Sequence, residues 1–202
     1  QTVCKRGCAV LDPLEQGDAQ HRPKMCDVLG GPYLPSLFCF AAMMSHSAER
    51  GLIASQLKNG EGIFACDAFL VFSEVSVDLG RDLSGRRIFS RALPMLEVPL
   101  HTAGALTSSW VNQKPFAEAW DQVAAMERRG GWAHDFVVKA DPDTVLLPAQ
   151  LKVHLRSTRL LAEEENQGAG VFFSNCLVPG PLQFFGALEV VSRAALRSYG
   201  GG

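Results

Sequence analysis

Two carboxylates one residue apart, Asp141 and Asp143, are the side chains of this chain best suited to chemistry. They follow the apolar run Phe136-Val137-Val138 and precede Thr144-Val145-Leu146-Leu147, so they stand where a buried strand emerges into a turn. Acid groups in that position can hold a hard divalent cation. Oxygen ligands outside the carboxyl end of a strand face the region where open α/β sheets bind ligands, and a cation there can bridge them to a diphosphate. The same residues are also good turn chemistry, and Asp143 or Thr144 can cap the helix that follows. The two readings differ in one observable: a turn or cap ties the Asp143 carboxylate up in local bonds, whereas a metal ligand must keep it available.

The elements that must position this pair can be read from apolar runs and their punctuation. Residues 34–44 form a continuous apolar stretch with Phe38, Cys39 and Phe40, short enough for a central strand covered on both faces. Ser45 or Ser47 can cap a helix running to Lys58, with Ile53 and Leu57 on one face and Asn59-Gly60 ending it. A second buried strand spans 68–72 and carries Ser73 and Glu74 at its carboxyl end. Strand, helix and strand at this spacing make a βαβ unit with a right-handed crossover. The signal weakens over 75–109, where 95–98 is expected as a short strand. Pro115 suits a first helical turn, and Phe116, Trp120, Val123, Ala124 and Met126 trace a core-facing stripe as far as Arg129, closed by Gly130-Gly131. After the acidic turn a helix is expected over 148–165, with Leu151, Leu155, Thr158 and Leu161 or Ala162 on one face. Strands are expected at 171–173 and 183–185, followed by a short helix over 187–199.

The totals bound the class. The sequence has 202 residues and a formal charge of -2, which predicts a soluble globular protein of one domain, or one domain with an appendage. No run of Lys and Arg exceeds two, so there is no electrostatic footprint for nucleic acid. No apolar run is long enough for a transmembrane segment, and the opening at Gln1 shows no targeting segment, as expected of a processed piece. Six cysteines fit residence in the secretory pathway. Residues 1–31, rich in Cys, Gly and Pro, read as an N-terminal appendage; Cys4, Cys8, His21 and Cys26 have a spacing superficially like a zinc module. Pro13, Gly17 and Pro23 interrupt the helix such a module needs, which favours disulfides over zinc.

Taken in order, several segments resemble one family. Leu37-Phe38-Cys39-Phe40-Ala41-Ala42-Met43, Cys66-Asp67-Ala68-Phe69-Leu70-Val71-Phe72-Ser73-Glu74, Trp120, Phe136 to Thr144 with its Lys139-Ala140-Asp141-Pro142-Asp143-Thr144, and Gly186-Ala187-Leu188-Glu189-Val190-Val191-Ser192-Arg193-Ala194-Ala195-Leu196 resemble the fringe and core-1 β1,3-galactosyltransferase group of GT-A glycosyltransferases. The resemblance implies a GT-A-like, Rossmann-like three-layer α/β domain over 34–202 with a central mixed, mostly parallel sheet, lacking the C-terminal part of the usual domain. It implies a metal-dependent inverting hexosyltransferase that takes a sugar from a UDP-sugar to a glycan or glycoprotein acceptor, in the Golgi lumen or secreted. Asp143, with Asp141, would hold Mn2+ or another divalent cation, while Lys139, Asp141, Asp143, Met44 and Ser73 would line the nucleotide-sugar site. Cys39 and Cys66 would correspond to a disulfide of the family. Pro142 replaces the middle Asp usual in the group, and Phe185-Gly186-Ala187-Leu188-Glu189 replaces its Gly-Gly-Ala-Gly-Tyr. Glu189 is thereby a candidate base, although a first-turn Glu favoured by the helix dipole is the plainer expectation. His101, His134 and His154 are not nominated as ligands. The alternatives are a non-catalytic GT-A-like module binding a nucleotide-sugar, glycan or protein, and a secreted interaction domain whose Asp-Pro-Asp is only a turn.

Overall fold

The structure is a computed structural model that describes residues 9–10, 34–93, 113–130, 134–164, 170–173 and 187–199. The strands expected at 95–98 and 183–185, the Cys4, Cys8, His21 and Cys26 set, and the helix-face side chains Thr158, Leu161 and Ala162 lie outside what it describes. Its strands are β1 (Ala9–Val10), β2 (Leu37–Ala42), β3 (Ala68–Ser73), β4 (Asp78–Arg81), β5 (Arg87–Phe89), β6 (Arg91–Ala92), β7 (Phe136–Ala140), β8 (Phe172–Phe173) and β9 (Leu188–Ser192). The helices are α1 (Glu49–Asn59), α2 (Gln113–Arg128), α3 (Pro148–Glu164) and α4 (Arg193–Tyr199).

Seven strands form one mixed sheet in the order β1-β3-β2-β7-β9-β8, with β6 also paired to β3; β4 and β5 make a separate hairpin. The pairings of β1, β2 and β6 with β3, and of β2 with β7, are parallel, while β9 runs antiparallel to both β7 and β8. Within the stretch expected as an appendage, Ala9–Val10 thus adds a short strand to the β3 edge.

Side-chain alternation explains the layering. Leu37, Cys39, Ala41 and Met43 face one core with Ile53, Leu57 and Leu155, so α1 and α3 cover that side. Phe38, Phe40 and Ala42 face the other with Ala119, Val123, Ala124 and Leu196, so α2 and α4 cover the opposite side. Every residue of β2, β3 and β7 is buried, as expected of strands packed on both faces, and this accounts for their near-continuous apolar sequences. The Phe40 ring meets Phe72 and Trp120 edge-on, with centroids 5.9 and 4.9 Å away.

Local signals set the boundaries. Gly60, left-handed at φ 66°, closes α1 by donating to the Gln56 and Leu57 carbonyls. The helix opens at Glu49 with Ala48 as its cap residue; Ser47 contributes by accepting from the Glu49 amide at 3.2 Å. One expectation is corrected: 187–199 is not one helix. Leu188-Glu189-Val190-Val191-Ser192 is β9, and only Arg193–Tyr199 is helical. Two adjacent β-branched valines favour the strand, and Ser192 Oγ then accepts from the Ala195 amide at 3.2 Å, an N-cap bond that starts α4. The disulfide implied by the resemblance is present, joining Cys39 in β2 to Cys66 just ahead of β3 with Cα atoms 6.1 Å apart.

Candidate functional site

The strand order reverses about β2, with β3 on one side and β7 on the other. Ligands of open α/β sheets gather at such a reversal, outside the carboxyl ends of the strands. At that edge stand the 43–47 loop after β2, Ser73 and Glu74 after β3, the 141–144 turn after β7 and Ala187 ahead of the antiparallel β9.

The acidic turn is built tightly. The Thr144 amide donates to the Asp141 carbonyl at 3.0 Å across Pro142-Asp143, a four-residue reversal with proline in its second position. Three contacts anchor it. The Asp141 amide and Thr144 Oγ1 both donate to the Ala187 carbonyl, at 3.0 and 2.8 Å, and Gln56 Nε2 donates from α1 to the Pro142 carbonyl at 2.8 Å. Gly62, at φ 58°, makes room for that glutamine: a Cβ there would sit 2.5 Å from Gln56 Oε1. Pro142 is buried and Asp143 exposed, so the turn presents the second carboxylate at its tip. Among the described residues Asp143 makes no side-chain hydrogen bond or ion pair, and α3 starts only at Pro148. Neither Asp143 nor Thr144 caps that helix.

Acids at the opposite, amino ends of the strands are spent on structure. Asp135 Oδ2 accepts from the Ser36 amide at 2.7 Å and its hydroxyl at 2.8 Å, tying the start of β7 to that of β2. Asp67 Oδ2 accepts from the Leu37 amide at 2.7 Å and pairs with Lys152 Nζ at 2.5 Å. Asp143 is a different kind of residue.

Behind the turn lies a buried charge cluster. Asp141 and Lys139 are two apart on one strand face, and Glu189 is the cross-strand partner of Lys139 in β9. The fully buried Lys139 ammonium is 2.6 Å from Asp141 Oδ1, 3.7 Å from Glu189 Oε1 and 3.8 Å from the Phe116 ring centre. Trp120 Nε1 donates to Glu189 Oε2 at 2.7 Å. Glu189, expected in a first helical turn, is therefore a half-buried strand residue fixed by two partners. The alternation Leu188-Glu189-Val190 was the available sequence signal for this; nothing in the sequence signalled the role of Gln56.

Met44 and Ser73 reach the same edge with their polar groups engaged. The Met44 amide donates to Glu49 Oε2 at 2.8 Å. Ser73 is fully buried; its hydroxyl donates to the Val75 carbonyl and shares a bond with Ser90 Oγ, each at 2.6 Å. Next to them Glu74 accepts from the Ser45 amide at 3.0 Å and from the Ser45 hydroxyl, with His46 Nδ1 also 3.0 Å away. Burial pushes the Glu74 carboxyl up, but the Ser45 and His46 bonds outweigh it and hold it below its usual value.

The donor set suits a hard cation. Asp143 and the second oxygen of Asp141 can supply one or two carboxylate oxygens, the number that Mg2+-like ions take when substrate phosphates complete the shell. Among the described residues no group of three or more His, Cys, Asp or Glu side chains forms a metal cage, so any ion here would rely on ligand and water oxygens for the rest. No helix among the described residues is long and apolar enough to cross a membrane. No protein-family model matches the chain, and no curated protein matches it.

Proposed function

We propose that this domain binds a nucleoside-diphosphate sugar, UDP-linked by the resemblance, outside the carboxyl ends of β2 and β7, and acts as a metal-dependent inverting hexosyltransferase on a glycan or glycoprotein acceptor. One observation carries the reading: at the strand-order reversal, an anchored turn presents Asp143 with its carboxylate uncommitted among the described residues. Asp143 and the remaining oxygen of Asp141 would hold the cation, Mn2+ by the same resemblance. A metal acting as a Lewis acid there neutralises charge developing on a departing diphosphate without any proton transfer. The Met44–Ser47 loop would take the nucleoside. The GT-A fold is part of this proposal, as is a Golgi or secreted location, which the Cys39–Cys66 disulfide favours because such bonds persist in oxidising compartments.

A second reading, a non-catalytic module that binds the nucleotide-sugar, is favoured by Glu189. A general base must accept the acceptor's proton within hydrogen-bond reach, and the Glu189 carboxylate is held by Trp120 and Lys139. Melting the protein with and without Mn2+ and UDP tests the shared premise. Ligand at a hundred times Kd stabilises the native state by about 2.7 kcal/mol, or roughly 5–10 °C for a domain of this size. The shift is expected in the wild type and absent in Asp143→Ala; no shift at saturating ligand refutes both readings. Transfer from a UDP-sugar to an acceptor then separates enzyme from binding module.

A further inference from the structure

The proposed cation site contains a cation of its own. Lys139 has no exposed surface, and its ammonium exchanges water for Asp141, Glu189 and the face of Phe116. A lysine in the last position but one of a central strand is not needed for packing. The neighbouring residues on its face of β2 are Phe38 and Phe40, and an apolar residue would pack against Phe116 and Trp120 without any desolvation cost. Its placement makes sense electrostatically. Together Asp141, Asp143, Glu189 and Lys139 carry a net charge of -2, which matches one divalent ion.

We propose that Lys139 is a positioning residue that tunes this site. By holding Asp141 Oδ1 it keeps that carboxylate from closing on a metal with both oxygens, and by cancelling one of three negative charges it keeps the empty-handed affinity for a divalent ion low. Capture of the ion then depends on the diphosphate that arrives with it. Glu189 is the counterweight: it adds negative charge next to Lys139, and Trp120 fixes it there. This inference rests on Asp143 being a cation ligand.

Titrating Mn2+ into the whole chain without nucleotide, following free Mn2+ by its EPR signal, tests it. A unit charge within about 10 Å of a divalent ion changes affinity by about tenfold or more at an effective dielectric constant near 20. Lys139→Met should therefore lower the Mn2+ Kd by at least about tenfold, and Glu189→Gln should raise it by a similar factor. The double variant, with the wild-type net charge, should return close to the wild-type value. Lys139→Met leaves two carboxylates facing each other and can fail to fold. Glu189→Gln then carries the test, because Lys139 keeps Asp141 and the new amide oxygen can still accept from Trp120. Unchanged affinity in Glu189→Gln, or equal or weaker binding in Lys139→Met, overturns the tuning role while leaving the site intact. Wild-type binding that survives Asp143→Ala overturns the site itself, and the tuning role with it.

Discussion

Removing the Cys39–Cys66 bond by substituting both residues with alanine should cost the fold heavily while sparing ligand chemistry. The bond closes a loop of sequence separation 27, for which the chain-entropy model gives about 3.5 kcal/mol at 25 °C. Both cysteines are essentially without exposed surface, so truncation also removes contacts in the core beneath α1 and α3. At roughly 2–4 °C per kcal/mol for a chain of this size, the melting temperature should fall by roughly 10 °C. Differential scanning calorimetry of the double variant is the right assay, because the substitutions remove this bond alone in a chain with four other cysteines. Well below the melting range, the Mn2+ affinity should match the wild type within about twofold, since the bond lies on the face opposite Lys139 and Glu189. A fall of less than about 3 °C would refute the reasoning. So would a peptide map of the oxidised protein in which Cys39 is joined to another cysteine.

Glu127 on α2 is buried and accepts from Arg193 Nε at 2.7 Å and Arg197 Nε at 2.8 Å on α4, so Glu127→Ala should destabilise by about 2–3 kcal/mol in urea denaturation. Arg197 is more than half exposed, and its own removal should cost under about 1 kcal/mol; equal costs for the two would contradict a central role for the buried Glu127. Burial pushes the Glu127 carboxyl up, but the two arginines outweigh it and hold it below 4.5; its stabilisation is therefore full above that value and lost as pH falls through the folded-state pKa. His134 behaves differently. Burial holds its imidazole below the ordinary 6.5 against the pull of Asp67 and Asp135, so the unfolded chain binds its proton first. Stability should be constant in this respect above about pH 6.5 and decline below it by up to about 1.4 kcal/mol per pH unit, a slope that His134→Gln should remove in acid titrations of the unfolding free energy.

The parts of the fold legible in the sequence are those whose burial is uniform. β2, β3 and β7 announced themselves as apolar runs because both their faces are covered, and α1 because Gly60 ends it with a residue free to adopt φ 66°. β9 was misread: Ala187 and Leu188 extend easily into the alanine-rich α4, and that continuity masked the strand signal of Leu188-Glu189-Val190-Val191, which the pairing with β7 makes decisive. That error hid the cluster. In a helix Glu189 points to solvent, whereas in a strand opposite Lys139 it faces α2 and meets Trp120. For the candidate site, the type and spacing of Asp141 and Asp143 placed them in a turn after a buried strand, and that is where they stand. Its anchoring was not readable, since Gln56 and Ala187 act from 86 and 43 residues away in sequence.

Under the proposed function, the network around Lys139 would bear on catalysis as well as on binding. A carboxylate paired with a buried ammonium and accepting from an indole has its geometry fixed, which is the opposite of what a general base needs when it must reach an acceptor hydroxyl. If Glu189 served as base, each turnover would neutralise it and take from the fully buried Lys139 one of its two carboxylate partners among the described residues. That cost argues for assigning Glu189 to the electrostatics of the site and leaving proton removal to another group. Under the proposed function, donor capture and sugar transfer would thus be separable on this scaffold, with Asp143, Asp141, Lys139 and Glu189 assigned to donor capture.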